Sequence, residues 1–416
     1  MHKIFNKIML LSLNSWINYV IIAYAFSIPV SRGGISILTT LMIILWLFEA
    51  NYKEKFNFLK QIDFIKIFFL FIAFSYLSLL WTNSMYLGDG ISYVNKYVRL
   101  IFLPMLVIVT SLNKENIPKL FIAFLTGMLI SEVISYGIFF ELWNFKDIPA
   151  NDPTPFMHHL DYSTFLAFTS LLLLNKVFSQ QNIKYKVFYI VYFLLTTSNL
   201  FINGGRTGQM AFIFALIAVG FLNMKNKLLA ISSMTLLFLA IFYTAYNLIP
   251  TSKIRFDQAS NEIYKFINQE ENKYQGSFGL RVAVWTVGAK MIQDNPVLGT
   301  GAGAEMPMMR QYAVNMEDKN LSVAQEQVHF HNQFVHIAVQ LGIVGFVLYL
   351  LMWYSLFNIK VRDDYLNKLK VIFIVVFCTA SLVENIFHNQ FPMSLFALFV
   401  SIFIISSVNI RAVAFQ

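Results

Sequence analysis

The run Val328-His329-Phe330-His331-Asn332 holds two histidines whose type and spacing suit proton transfer. The ordinary pKa of an imidazole is close to neutral, so either ring could serve as a general base. Alternate residues of an extended segment point to the same side, so both rings would lie on one face. His331, followed by Asn332 at the start of an apolar run, is the better placed base. The alternative for either ring is a polar helix cap that anchors the chain at a membrane surface.

A metal site is the competing interpretation of two histidines so spaced. Zinc sites take three or four His, Cys or carboxylate ligands. Glu326 is the only acidic residue close by in the sequence, and no third His lies at ligand spacing. We therefore expect no metal, and nothing else in the sequence suggests another cofactor.

Two arginines stand near glycines and have the chemistry of anion binding. Arg206 follows Gly204-Gly205 where an apolar run begins, and Arg281 ends the triplet Gly279-Leu280-Arg281. A guanidinium keeps its charge, binds a phosphate through two parallel hydrogen bonds and cannot act as the base. The glycines would let the backbone approach a ligand closely. A snorkelling interfacial Arg206 and an ordinary loop charge at Arg281 are the alternatives.

A second basic pair, Lys96 and Arg99, is three residues apart and would share one helix face at the start of a span. Two cations there suggest a phosphate-binding position, with contact to lipid headgroups as the alternative. Acids inside apolar runs would equally suit the proton relay of a transporter. The weaker ionisable candidates in or beside apolar runs are Glu132, His158, His159, Asp161, Glu384 and His388.

The composition of the chain indicates the class of fold that positions these residues. The 416-residue chain is 57% hydrophobic and only 13% charged, with a mean hydropathy of +0.60. Soluble domains carry nearer a quarter charged residues, so we predict an all-α polytopic membrane protein. The net charge of +9 is not gathered into a basic stripe with interleaved aromatics, which argues against nucleic-acid binding. Cys378 is the single cysteine, so no intrachain disulfide can form.

Apolar runs separated by polar breaks predict about twelve membrane-spanning helices. We divide the chain into an N-terminal bundle of about nine spans (1–249), a polar loop (250–332) and about three C-terminal spans (333–416). No small-residue cleavage site follows the first apolar run, so we expect it to be a retained span. The predicted spans are 8–30, 35–52, 64–81, 97–112, 119–143, 160–175, 187–203, 207–223, 228–249, 333–357, 369–387 and 392–410.

The distribution of Lys and Arg predicts the orientation, because cytoplasmic loops are enriched in these residues. Most of the 31 basic residues, including Lys3, Lys7 and Arg411, fall in one alternating set of stretches. Both termini are therefore expected in the cytoplasm and the 250–332 loop on the opposite face. The short loops of that opposite set hold only Arg32, Lys96, Arg99, Lys146 and Arg206.

The polar loop has predicted structure of its own. Val284, Val287 and Met291 recur at helical spacing and predict an amphipathic helix over 281–292. Asn295-Pro296 would end it, three alternating glycines would form a flexible turn, and 305–314 would be a second short helix. We expect the loop to fold as a lid over the bundle. The glycines of the turn are Gly299, Gly301 and Gly303.

These motifs, in this order, resemble the shared domain of the O-antigen ligases, O-antigen polymerases and protein O-oligosaccharyltransferases, from about residue 190 to 350. No single motif is specific, but the ordered set in a twelve-span chain is. The Val-His-Phe-His-Asn run with two upstream arginines looks closest to the lipopolysaccharide O-antigen ligases. The matched features are the Arg that opens a span (Arg206), Gly-Leu-Arg with an aromatic (Arg281, Trp285), Asn-Pro-x-x-Gly-x-Gly (Asn295, Pro296, Gly299, Gly301) and His-x-His-Asn with Gly-x-x-Gly (His329, His331, Asn332, Gly342, Gly345).

The resemblance implies a metal-independent membrane glycosyltransferase of the bacterial inner membrane, active on the periplasmic face. Its donor would be a glycan on undecaprenyl diphosphate, its acceptor the lipid A-core, and its surroundings membrane lipids. The family's essential arginines fall on Arg206 and Arg281 and its essential histidine on His331. His329 and Asn332 would contribute to substrate binding, and Lys96 and Arg99 match a basic position of the family.

The chemistry fits these residue types. Attack of a hydroxyl on an anomeric carbon needs a base and stabilisation of a leaving diphosphate, and attack opposite the leaving group inverts the centre. His331 would be the base, and the cations would neutralise the diphosphate without a metal. An O-antigen polymerase or a protein O-oligosaccharyltransferase is the alternative with the same donor. A solute or ion transporter, supported by Glu132 and Glu384, is the alternative from another class.

Overall fold

The computed structural model describes the backbone of residues 2–270 and 273–407, with side chains from Leu13 onward. Arg411 and the end of the predicted span 392–410 lie outside the described residues, as do the side chains of Lys3 and Lys7. Within the described ranges the chain forms seventeen α-helices and no β-strand, which confirms the all-α prediction. The helices are α1 (His2–Ser27), α2 (Arg32–Glu49), α3 (Tyr52–Leu59), α4 (Asp63–Leu77), α5 (Leu87–Tyr97), α6 (Leu103–Ser111), α7 (Ile117–Phe139), α8 (His159–Ser179), α9 (Ile183–Ile202), α10 (Arg206–Asn223), α11 (Lys227–Leu248), α12 (Pro250–Ile267), α13 (Gly276–Asp294), α14 (Glu305–Asn315), α15 (Gln333–Phe357), α16 (Asp364–Val383) and α17 (Gln390–Ile405).

Every predicted span coincides with a helix or with helices that follow one another directly. Among the described residues, nine helical segments are long and apolar enough to cross a membrane. The chain is therefore a polytopic membrane protein. The other three predicted spans correspond to α1, α8 and α17, of which α17 has only 16 residues.

α8 and α17 are almost entirely buried and form the centre of the bundle. Gly208 of α10 lies so close to α8 that a Cβ atom there would stand 2.0 Å from the Ser163 carbonyl oxygen. Small residues allow such close approach of helices in a membrane. A hydrogen bond also joins α10 to α8 at this point: the Gly208 N–H donates to Ser163 Oγ at 3.0 Å. It places Arg206, the first residue of α10, beside the beginning of α8.

The structure moves the start of one predicted span and adds one helix. The helix that carries Lys96 begins at Leu87 and continues through a π-helical turn, Val98–Phe102, into α6, so it starts ten residues before the predicted span 97–112. Lys96 therefore lies within a helix, not at its outer end. α12 was not predicted at all, and it starts with Pro250 in a first-turn position that favours proline.

The predicted helices of the loop are confirmed. α13 buries Val284, Val287 and Met291, and its C-cap is Asn295. α14 corresponds to the second short helix. The glycine turn between them has positive φ at each glycine, but it is packed tightly, and is not a free turn: a Cβ at Gly301 would stand 2.3 Å from Thr82 Oγ1.

α15 is broken at Gly342, which has φ 60° and ψ −162°. In the low-dielectric interior the freed backbone groups need new partners. The loop 296–301 supplies them: Thr300 N–H donates to the Val339 carbonyl at 2.9 Å, and Ile343 N–H donates to the Pro296 carbonyl at 2.9 Å. The Asn-Pro-x-x-Gly-x-Gly motif thus supplies the backbone hydrogen bonds that α15 lacks at its break.

We predict that Gly342→Ala destabilises the protein, because a Cβ there would stand 2.3 Å from the Val297 carbonyl oxygen. The positive φ alone costs an L side chain about 1–3 kcal/mol, and the clash adds to it. The measurement is the midpoint of thermal unfolding in detergent. Gly88→Ala is the matched control, since nothing lies within 4 Å of its added Cβ. Equal midpoints for the two variants would contradict the role assigned to the break.

Candidate functional site

The two histidines lie in a short, bent, non-helical segment, 327–332, between the 3₁₀ helix Lys319–Glu326 and α15. Trp285 Nε1 of α13 donates to the carbonyl of Phe330 at 2.9 Å, and the Phe330 ring is fully buried. Asn332 Oδ1 accepts two backbone N–H groups in the first turn of α15 and so caps it. His331 adopts a left-handed φ of 48°, a costly conformation that these contacts hold. A role for Asn332 in substrate binding stays a prediction.

The carboxylate of Glu384, the residue after α16, lies between the two imidazole rings. Its Oε1 is 3.3 Å from His329 Nε2, and its Oε2 is 3.1 Å from His331 Nδ1. The Asn385 N–H also donates to Oε1, at 3.0 Å. The Glu384 side chain is 5% exposed, so a buried acid, two rings and one backbone N–H form a closed group.

The hydrogen bonds indicate which nitrogen of each ring carries a proton. The His331 N–H donates to His329 Nδ1 at 3.3 Å, so His329 keeps its proton on Nε2 and donates it to Glu384. An ionised carboxylate only accepts, so His331 donates from Nδ1 and keeps a lone pair on Nε2. That Nε2 lies 3.3 Å from Gln327 Oε1, an atom that only accepts, so beside an unprotonated Nε2 the Gln327 amide must present its NH2 group instead. Of the two rings, His331 is the one whose unprotonated nitrogen faces a side-chain amide and not a backbone N–H.

Electrostatics agree with this assignment. Burial lowers the pKa of His329 to about 4, although the attraction of Glu384 acts in the opposite direction. Burial raises the pKa of Glu384, but the hydrogen bond from His331 and the nearby imidazoles outweigh it and hold the pKa below its ordinary value. At neutral pH His329 is therefore neutral and Glu384 ionised. A ring with a pKa near 4 is a weak proton acceptor at pH 7.

Arg281 projects from α13 to the same end of α16. Its Nε donates to the Val383 carbonyl at 3.2 Å, one residue before Glu384, and its Nη1 donates to the Ser277 carbonyl at 3.1 Å. Burial lowers the pKa of Arg281, and the charge of Glu384 raises it. The guanidinium stays protonated. A permanent positive charge therefore lies beside the Glu384–histidine group.

Arg206 is connected to the site by contacts with two residues of α12. Its Nη2 donates to the Arg255 carbonyl at 3.1 Å, and its Nη1 is 3.7 Å from Glu262 Oε2. Glu262 Oε2 also accepts the Phe278 N–H of α13 at 2.8 Å. One carboxylate thus links the start of α10 to the helix that carries Arg281, and the charge of Arg206 contributes to lowering the pKa of Arg281. The structure brings both predicted arginines together.

The glycines before Arg206 have a different role from the predicted one. A Cβ at Gly205 would stand 2.4 Å from the His159 carbonyl oxygen, so this glycine lets α10 pack on α8. The Gly204 N–H donates to Asp152 Oδ1 at 2.9 Å and is occupied within the protein. Both glycines are therefore engaged in contacts within the protein, and ligand approach at this point stays a prediction.

Lys96 and Arg99 lie in different surroundings. Lys96 Nζ lies 6.0 Å from the centre of the Tyr93 ring, and the His388 ring lies on that same Tyr93 at 6.1 Å. Burial and then the charge of Lys96 lower the pKa of His388 to about 4, against the attraction of Glu384. His388 in turn lies 6.2 Å from His329, ring centre to ring centre. Lys96 therefore faces the site, while Arg99, within the π-helical turn, is exposed.

Sequence reasoning missed the partners of the predicted residues. Glu384 was noted only as an intramembrane acid, and Gln327 and Glu262 were not noted at all. A charged residue near the end of the predicted span 369–387 was the available signal for Glu384. With it, the site offers three metal-ligand atoms within 4.8 Å of one another, on His329, His331 and Glu384. The carboxylate of this group comes from a residue 53 positions away from His331 in the sequence, so ligand spacing along the chain does not reveal it.

The weaker candidates fall into separate groups. His159 Nδ1 is 3.0 Å from Asp152 Oδ2, at the start of α8. Asn389 donates to Asp161 Oδ1 at 3.1 Å. Glu132, buried between α7 and α9, accepts from Thr196 Oγ1 at 3.0 Å.

Comparison with known proteins gives two findings. Residues 191–350 match the family model described as O-antigen ligase, and this range contains Arg206, Arg281, His329 and His331. The chain is 22% identical to an uncharacterized protein of Haemophilus influenzae over 344 residues. The aligned stretch covers 81% of this chain and 82% of that protein. The resemblance inferred from the motifs is confirmed for the matched range.

Proposed function

We propose that this chain, whose residues 191–350 carry the O-antigen ligase family domain, transfers an O-antigen glycan from undecaprenyl diphosphate to the lipid A-core of lipopolysaccharide. The observation that carries the proposal is the ring of His331, oriented by a buried carboxylate with Nε2 left to accept a proton. Arg281 lies beside it and Arg206 is linked to Arg281 through Glu262. A lipid-linked donor holds its diphosphate at the membrane surface, where these span ends lie.

In the proposed step the acceptor hydroxyl attacks the anomeric carbon from the face opposite the diphosphate. The hydroxyl proton passes to His331 Nε2, the new glycosidic bond forms, and the bond to the diphosphate oxygen breaks with inversion. The hydroxyl would take the position beside Nε2 that the Gln327 side chain has here. Glu384 remains ionised and stabilises the imidazolium that forms, as the carboxylate of a catalytic triad does.

Charge on the departing diphosphate would be neutralised by Arg206 and Arg281, with Lys96, near His388, as a third cation. A guanidinium can bind two phosphate oxygens at once without a metal ion. Preorganised positive charge where negative charge develops is commonly the largest contribution to such catalysis. We therefore propose a metal-independent reaction.

The transporter alternative loses part of its support. Glu384, one of the two acids that suggested a proton relay, is engaged by His329, His331 and Asn385 at the end of a span. Glu132 is hydrogen-bonded to the neighbouring α9 and needs no transported ion to satisfy it.

We predict that His331→Ala lowers the rate of glycan transfer about 10²–10⁴-fold, the usual cost of losing a general base. His329→Gln should cost less, because its amide can still donate to Glu384. The measurements are transfer by purified protein and, in cells, accumulation of undecaprenyl-linked glycan with uncapped lipid A-core. An inactive His329→Gln beside an active His331→Ala would reverse the assignment. Capped lipid A-core with shortened glycans would indicate polymerisation instead.

We predict that Arg206→Lys stays severely impaired, because an ammonium keeps the charge but loses the two-pronged geometry that binds a diphosphate. Transfer rate and retention of the lipid-linked donor by the purified variant are the measurements. Arg310→Lys, an exposed arginine of α14, is the matched control and should be unaffected. Near-normal transfer by Arg206→Lys would mean that point charge alone suffices.

We further propose that the protein lies in the bacterial inner membrane with both termini in the cytoplasm and the site facing the periplasm. Cysteines placed at the exposed Asn268 and Asn320, in a Cys378→Ser background, should react with an impermeant thiol reagent in cells with a permeabilised outer membrane. A cysteine at Lys225 is the cytoplasmic control and should react only after lysis. The reverse pattern would overturn this orientation and the periplasmic site.

A further inference from the structure

We propose that His329, His331 and Glu384 form a binding site for a divalent transition metal such as Zn²⁺, and that its occupation blocks glycan transfer. The binding site stands on geometry alone. The inhibition rests on the proposed function, in which the metal is not a participant.

The three side chains already stand close to the arrangement that a small cation needs. Glu384 is 3.3 Å from His329 Nε2 and 3.1 Å from His331 Nδ1, and the three ligand atoms all lie within 4.8 Å of one another. Tetrahedral zinc has ligand atoms about 2.0–2.2 Å away, so neighbouring ligands are separated by roughly 3.3 Å. Small side-chain rotations would therefore let all three reach one ion.

The ligand set points to the class of metal. Two imidazoles and a carboxylate suit Zn²⁺, Ni²⁺ or Cu²⁺, whereas Mg²⁺ and Ca²⁺ prefer a full set of oxygen ligands. Two further hydrogen bonds hold the three ligand residues in place. The Asn385 N–H donates to Glu384 Oε1, and Trp285 Nε1 donates to the carbonyl of Phe330, the residue between the two histidines. The His329 and His331 side chains are 15% and 19% exposed, so an ion from solution can reach them.

Binding would reverse the proton arrangement of His331. With its Nδ1 lone pair on the metal, the ring carries its proton on Nε2, which then donates to Gln327 Oε1 at the 3.3 Å separation present here. The ring is left with no lone pair for an acceptor hydroxyl. A metal in this place therefore removes the proposed base without displacing any helix.

Two features limit the affinity. The ring of His329 must give up the 3.3 Å contact from the His331 N–H when its Nε2 binds a metal. Two positive charges also lie near the site: Arg281 acts on His329, and Lys96 acts on His388, whose ring centre is 6.2 Å from that of His329. We therefore expect a site that fills reversibly and is emptied by a chelator.

The binding test is titration of Zn²⁺ into detergent-purified protein that carries no polyhistidine tag and has been stripped with EDTA and exchanged into chelator-free buffer. One Zn²⁺ per chain is expected, and Co²⁺ should give the visible bands of tetrahedral coordination. His329→Gln and Glu384→Gln should lose this binding while eluting from a sizing column as the native protein does. His159→Ala, which removes a histidine 3.0 Å from another carboxylate, is the matched control and should bind normally. No binding, or binding that survives in both site variants, would overturn the site.

The activity test separates this inference from the proposed function. Transfer by the native protein should persist in EDTA, fall roughly a hundredfold or more with saturating Zn²⁺ as the base is lost, and recover on chelation. Mg²⁺ should have no effect. The fractional inhibition of His329→Gln, measured against its own metal-free rate, should be much smaller. Undiminished transfer with zinc bound would overturn the inhibition alone. Transfer abolished by EDTA and restored by zinc would overturn both the inhibition and the metal-independent reaction, while leaving the binding site in place.

Discussion

The arrangement of the site depends on one buried charge, the carboxylate of Glu384. A carboxylate taken out of water is costly unless its oxygens receive hydrogen bonds. Its donors come from two distant stretches of the chain: the histidine segment before α15 and the backbone after α16. Arg281 joins the same group by binding the carbonyl of Val383. Satisfying this charge ties α13, α15 and α16 together, and it leaves His331 with its Nε2 directed away from the carboxylate.

The rest of the site is built where helices begin and end. Arg206 starts α10, and its place is set by glycine contacts between α10 and α8. Glu262 then joins Arg206 to α13, so a helix of the polar loop is bonded to a helix of the bundle. Polar backbone at span ends is tolerated because protein groups satisfy it, as Asp152 does for Gly204. A rigid bundle and a bonded loop together hold the charged groups in fixed positions.

Much of the fold follows from hydropathy, because long apolar runs leave few alternatives to spanning helices. Residue type and spacing alone singled out both arginines and the histidine pair as candidates, and the structure places them near one another. Pairings across the chain could not be predicted in the same way. Glu384 is 53 residues from His331, and within an apolar run it looks the same whether it orients a ring or relays a proton. The span around Lys96 was predicted too short because polar residues of α5 were taken as a loop. Gly205 was assigned to ligand approach because sequence does not reveal which neighbour occupies the space.

The break in α15 has a consequence for how the helix and the polar loop depend on each other. The stretch 296–301 precedes α15 in the chain, and its backbone bonds to both sides of Gly342. In the folded structure α15 therefore does not complete its own hydrogen bonding, because a loop from outside the helix supplies the partners at the break. The broken form of α15 is fully bonded only with this loop docked, so a change that displaces the loop also leaves backbone groups of the span without partners.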